Sequence, residues 1–192
     1  MMPLNLRETM AFTPRLRTLS TVALGAAVAL AGMAAGPAPA RADDPAFVTV
    51  AGGWFDMNRQ KMDSAEFRLE YRHDQKFWIF KPFGGAMATS DGASYYYAGI
   101  LVDVYLGNRV VVTPSFAPGY YAKGSGYDLG HALEFRSQLE LAYRFDDRSR
   151  LGVSFGHMSN ASIGDKNPGT ESLMVNYSVP LSSITGLFAG GR

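Results

Sequence analysis

Ser64 to Arg72 reads Ser-Ala-Glu-Phe-Arg-Leu-Glu-Tyr-Arg, an alternation of apolar and charged side chains. Ala65, Phe67, Leu69 and Tyr71 share one parity, and Glu66, Arg68, Glu70 and Arg72 share the other. Successive side chains of a β-strand point to opposite faces, whereas a helix would scatter both sets around its circumference. The segment is therefore a strand with one greasy face and one charged face. Ala132 to Phe145 repeats the pattern, with Leu133, Phe135, Leu139, Leu141 and Tyr143 against Glu134, Arg136, Gln138 and Glu140. Ile100, Val102, Val104 and Leu106 likewise oppose Asp103 and Tyr105. Eight strand-like segments, at roughly 46–57, 64–73, 76–88, 93–106, 109–121, 131–145, 149–160 and 169–181, are separated by turn residues. No helical periodicity of comparable length competes with them.

Two architectures accept such strands. In a soluble sandwich the charged face meets water and the apolar face meets a second sheet. In a membrane barrel the apolar face meets lipid and the charged face turns inward. The segments exceed the usual five or six residues, and aromatics gather near their ends at Tyr95, Tyr96, Tyr97, Tyr120 and Tyr121. An even number of strands also lets a barrel close. The expected fold is all-β: an eight-stranded antiparallel up-and-down transmembrane β-barrel. Eight strands enclose a lumen filled by side chains, so Glu66, Arg68, Glu70, Arg72, Glu134, Arg136 and Glu140 are expected to pair inside it. Such a barrel is not a pore.

The N-terminal segment reads as an export signal. Arg7, Arg15 and Arg17 precede an apolar run from Thr21 to Ala35, and Ala40-Arg41-Ala42 fits a small-x-small cleavage site. Residues 1–42 are thus expected to be a cleaved Sec signal peptide, with Met10 as an alternative start, and residues 43–192 to be the barrel. With Arg7, Arg15, Arg17, Arg41 and Glu8 removed from 18 basic and 17 acidic residues, the mature chain has a net charge of −2. It carries no basic footprint for nucleic acid. There is no cysteine to form a disulfide, and no mature apolar run is long enough for a spanning helix. The Gram-negative outer membrane is the expected location.

Against this frame the segment His157-Met158-Ser159 stands out, because both polar residues continue the apolar parity of Leu151, Val153 and Phe155. On the next segment Glu171 begins the apolar parity of Leu173, Val175, Tyr177, Val179 and Leu181. A hairpin centred near Gly164 sets His157 opposite Glu171, and directly opposed residues lie within side-chain hydrogen-bonding reach. A hydroxyl, an imidazole and a carboxylate are the parts of an activated serine nucleophile. A His-x-Ser pair on a strand is usually structural. Polar groups on a lipid-facing wall are costly, however, and ask for a function. With both barrel termini periplasmic, this hairpin is extracellular, so the site faces the lipopolysaccharide leaflet. His73 and His131 have no partner at metal-ligand spacing, and neither a metal nor a cofactor is expected.

The chain here resembles the outer-membrane lipid A 3-O-deacylases. Their signature is His-x-Ser-Asn followed by a Glu fourteen residues after the His, and His157, Ser159, Asn160 and Glu171 match it. The resemblance implies an eight-stranded barrel of about this mature length. It implies that Ser159, His157 and Glu171 cleave the ester of the 3-hydroxyacyl chain at position 3 of lipid A. It also implies that an Asn of the intervening loop, here Asn167, serves the oxyanion hole. Asn160 is a further oxyanion or substrate-positioning candidate, and Ser162 stands where a glycine donor is expected. The partners implied are lipopolysaccharide and membrane lipid; the oligomeric state is open, a homodimer included. Two rivals remain at this stage: a non-enzymatic adhesin or structural barrel, and an outer-membrane phospholipase or acyltransferase.

Overall fold

The computed structural model of the protein describes residues 44–58 and 60–189, so the expected signal peptide lies outside the described residues. Nine strands follow one another: β1 (Phe47–Phe55), β2 (Ser64–Arg72), β3 (Lys81–Thr89), β4 (Ser94–Leu101), β5 (Val104–Leu106), β6 (Val110–Ala122), β7 (Leu133–Arg144), β8 (Arg150–Ser159) and β9 (Thr170–Pro180). A helix α1 (Leu181–Ala189) follows Pro180. Each strand pairs antiparallel with its neighbours, β1 pairs with β9, and β4 pairs with β6, which closes the sheet. β4 and β5 both lie along β6 and together occupy one position, so the cylinder is an eight-stranded barrel.

The break between β4 and β5 falls inside what reads as one segment, 93–106. Asp103 is drawn into the lumen, where Lys81 Nζ (3.1 Å), Arg150 Nη1 (2.8 Å) and Thr113 Oγ1 (2.8 Å) donate to its carboxylate. The segment expected at 76–88 also shifts. Its strand begins at Lys81, because Phe77 and Phe80 exchange backbone hydrogen bonds of 2.8 and 3.1 Å around a tight turn.

Burial inverts that of a soluble protein. Phe67, Leu69, Tyr71, Leu139, Leu141, Leu151, Val153, Phe155, Leu173 and Val175 are exposed on the outer wall, while Glu66, Arg68, Glu70, Arg72, Arg136 and Glu140 are buried. In the lumen Arg72 Nη2 donates to Glu140 Oε2 at 2.7 Å and to Glu70 Oε2 at 3.0 Å. Arg136 donates to Glu70 at 2.7 Å and stacks over the Tyr97 ring, 3.9 Å from its centroid. Asp44 joins Arg144 and Arg150 at the end of the barrel where β1 begins and β9 ends. Pairing of this kind is what makes a charge tolerable away from water. Glu134 departs from the expectation: it is buried in the lumen but makes no ion pair among the described residues, since its neighbour Arg136 turns to Glu70.

Candidate active site

The site is built on the outer face of β8 and β9, at the barrel end where β8 finishes and β9 starts. The β8–β9 register pairs Phe155 with Leu173 and His157 with Glu171. Directly opposed side chains on one face are close enough to bond, and His157 Nδ1 lies 3.1 Å from Glu171 Oε1. A carboxylate only accepts, so Nδ1 is the donor in this contact. Glu171 retains 13% of its side-chain exposure and His157 46%, so the carboxylate is sheltered while the imidazole meets the surroundings.

Ser159 lies two residues along β8, on the face of His157 and directly opposite Phe135 of β7. Two strand residues span about 6.6 Å. In this structure the Ser159 hydroxyl makes no hydrogen bond to the imidazole, so dyad and hydroxyl are neighbours on one face, not a closed chain. One position beyond the last β8–β9 pair, Met158 with Thr170, Gly169 faces Ser159. Gly169 has φ +64°, and a Cβ built on it would sit 2.9 Å from His157 Cε1 and 3.5 Å from Nε2. Only glycine leaves the ring where it is. The sequence signal was the Pro168-Gly169 dipeptide, which reads simply as a turn.

The loop between β8 and β9 holds the two asparagines. Asn160 is fully buried: its Nδ2 donates to the carbonyls of Leu129 (2.9 Å) and Lys166 (2.8 Å), and its Oδ1 accepts from Ser162 N–H (2.9 Å). That amide is committed to the loop. Asn167 is exposed; its Oδ1 accepts from the Asn160 N–H (3.1 Å), one peptide beyond Ser159, and its Nδ2 donates to Ser162 Oγ (3.3 Å). An amide nitrogen carries two hydrogens, so one remains available. Ala161 (φ +53°) and Ser162 (φ +64°) form a turn closed by Ile163 N–H to Asn160 O at 3.1 Å. Two consecutive left-handed non-glycine residues cost about 1–2 kcal/mol each, beside the candidate nucleophile.

Other contacts brace this end. Asp128 accepts from Lys166 and Lys123, linking the β6–β7 loop to the β8–β9 loop. The Lys166 hydrogen bond, the Gly130 N–H and Lys123 hold its carboxyl down at about 2. Asp56 is buried and accepts the N–H groups of Lys61 (2.9 Å) and Met62 (3.1 Å), and Met57 N–H reaches Glu171 O at 3.1 Å. The sequence reading missed this clamp, because it placed Asp56 inside the first strand-like segment, 46–57, whereas β1 ends at Phe55. Behind β8 the lumen leaves a cavity of about 10 Å³ lined by Glu66, Arg68, Arg136 and His157 among others. That is room for about one water. Among the described residues no three His, Cys, Asp or Glu side chains cluster as a metal site.

A closed barrel with an apolar wall and an ion-paired lumen is an outer-membrane β-barrel. The chain belongs to the lipid A 3-O-deacylase (PagL) family, whose sequence profile matches residues 50–180. The crystal structure of the outer membrane enzyme PagL is similar, with a TM-score of 0.57 and 19% identity over 70% of this chain and 99% of that one. A structure from the de novo design of transmembrane β-barrels gives a TM-score of 0.51 and 11% identity, covering 72% of this chain and 98% of that one. At such identities the likeness speaks to the fold. No curated protein sequence matches the chain significantly.

Proposed function

We propose that this barrel is a lipid A 3-O-deacylase in which Ser159, His157 and Glu171 act as nucleophile, general base and orienting carboxylate. The observation that carries the reading is the His157–Glu171 contact of 3.1 Å on a wall otherwise made of Phe155, Leu173 and Val175. An imidazole–carboxylate pair facing lipid is expensive unless it does chemistry. Membership of the family supports the substrate, the ester-linked 3-hydroxyacyl chain at position 3 of lipid A.

Rotation of the Ser159 side chain brings Oγ to His157 Nε2. As Oγ attacks the ester carbonyl carbon, its proton passes to Nε2, and Glu171 stabilises the imidazolium through Nδ1–H. The carbonyl oxygen becomes an oxyanion, and the free Nδ2–H of Asn167 is the side-chain donor assigned to it. Asn160 acts indirectly, by fixing the loop that carries Asn167. The bond between the acyl carbon and the sugar oxygen then breaks, and His157 returns the proton to the departing alkoxide. Water attacks the acyl-Ser159 ester with His157 again as base, releasing the hydroxy fatty acid and restoring the serine.

The test is Ser159→Ala, assayed by release of hydroxyacyl chains from purified lipopolysaccharide. The variant should fold like the parent, as judged by gel mobility of unboiled samples. Its deacylation should fall by several powers of ten; turnover near that of the parent refutes Ser159 as nucleophile.

A further inference from the structure

At the periplasmic end of the barrel, the turn between β2 and β3 carries Phe77, Trp78 and Ile79 at 83%, 70% and 40% exposure. The other two turns at this end run Gly107-Asn108-Arg109 and Phe145-Asp146-Asp147-Arg148-Ser149, and are mostly polar or charged. The β2–β3 turn is not a loose loop. The paired backbone bonds of Phe77 and Phe80 leave Trp78 and Ile79 as its two central residues, and the Trp78 ring meets Phe80 edge-on at 5.8 Å. Trp78 has φ +60° while Ile79 does not have a positive φ, the sign pattern of a II′ turn, whose first central position favours glycine. A bulky residue there is strained, and such an outlier points toward function. Two costs, backbone strain and exposed apolar surface, thus fall on one residue.

We propose that this turn is an anchor that inserts Phe77, Trp78 and Ile79 into the phospholipid leaflet of the outer membrane, at the level of the headgroups and upper acyl chains. The surface continues the lipid-facing wall of β2, where Phe67, Leu69 and Tyr71 are exposed and Tyr71 packs edge-on against His73 at 5.9 Å. Large aromatic side chains bury about 150–250 Å² each, so three apolar side chains fall short of the roughly 800 Å² per partner of a stable protein interface. A bilayer needs no such area, and tryptophan favours its interface. The anchor would hold the barrel from below while the candidate active site works in the opposite leaflet.

The chain has two tryptophans, so Trp54→Phe leaves Trp78 as the lone indole. This variant is folded into vesicles of phosphatidylethanolamine and phosphatidylglycerol. The expected result is blue-shifted emission, weak quenching by aqueous acrylamide, and strong quenching by phospholipid brominated close to the headgroup. Acrylamide quenching equal to that of free tryptophan, with no response to brominated lipid, overturns the proposal, whether the tip then stands in water or awaits a protein. Should Trp54→Phe not fold, the absence of cysteine allows Ile79→Cys to carry a unique nitroxide. Greater access of oxygen than of a water-soluble nickel chelate to that label supports the anchor, and the reverse order overturns it.

Discussion

Gly169→Ala isolates the geometry of the imidazole from the chemistry of the three polar side chains. The added Cβ would stand 2.9 Å from His157 Cε1, whereas carbon atoms in contact prefer about 3.5–4.0 Å. Ring or loop must therefore yield by about 0.6–1 Å. A displacement of that size opens the 3.1 Å contact between Nδ1 and Glu171 and turns Nε2 away from Ser159. Misplacement by about 1 Å can cost about 10²-fold in rate, equivalent to about 2.7 kcal/mol in activation free energy. The left-handed φ of +64° adds a stability cost of about 1–2 kcal/mol for a residue bearing a Cβ. Gly107→Ala supplies the control, since Gly107 has φ +72° with open space around its Cβ position. Both variants should lose similar stability, read from the heat at which the unboiled gel band shifts. Only Gly169→Ala should lose kcat, by about 10²-fold, with KM little changed. Equal deacylation rates per folded barrel for the two variants would refute the claim that Gly169 sets the ring.

Further outcomes follow from the same contacts. Glu171→Gln should lower turnover by roughly 10³-fold or more, against about 10⁴ for the equivalent change in a serine-protease triad; full activity in the hydroxyacyl release assay removes Glu171 from the triad. Glu140, whose carboxylate takes two hydrogen bonds from Arg72 in the lumen, should behave oppositely. Glu140→Gln should cost about 3–5 kcal/mol of stability, measured by urea unfolding in vesicles, with unchanged activity per folded barrel. Asn167→Ala should reduce kcat about 10²-fold without loss of fold, as for a lost oxyanion donor. Asn160→Ala should loosen the loop, seen as faster proteolysis between β8 and β9.

Alternation carried most of the fold because lipid outside and ion pairs inside enforce one parity over whole strands. Glu66, Arg68, Glu70 and Arg72 could be assigned to the lumen before any partner was known. The failures are instructive. Phe77-Trp78-Ile79-Phe80 reads as strand because it is apolar and aromatic, yet its backbone turns. The break at Asp103 depends on Lys81, Thr113 and Arg150, all distant in sequence. Glu134 shares the parity of its neighbours, but the cation beside it prefers another carboxylate. At the candidate site the opposition of His157 and Glu171 follows from counting outward from Gly164, which is why it was legible. The packing of Gly169 on the imidazole, the Asp56 clamp and the burial of Asn160 depend on how the loops fold over the barrel end. No local spacing encodes those contacts.

The most direct test of the central claim is mass spectrometry of lipid A from Gram-negative cells expressing the wild-type protein, Ser159→Ala, or neither. The wild-type protein should shift a fraction of lipid A down by the mass of one 3-hydroxyacyl chain, with the loss mapped to position 3 of the sugar and the 3-hydroxyacyl acid recovered. The alanine variant, present in the outer membrane at the same level, should leave lipid A as it is in cells lacking the protein. Lipid A that is identical in all three, under conditions where the folded barrel is shown to be present, would contradict the account.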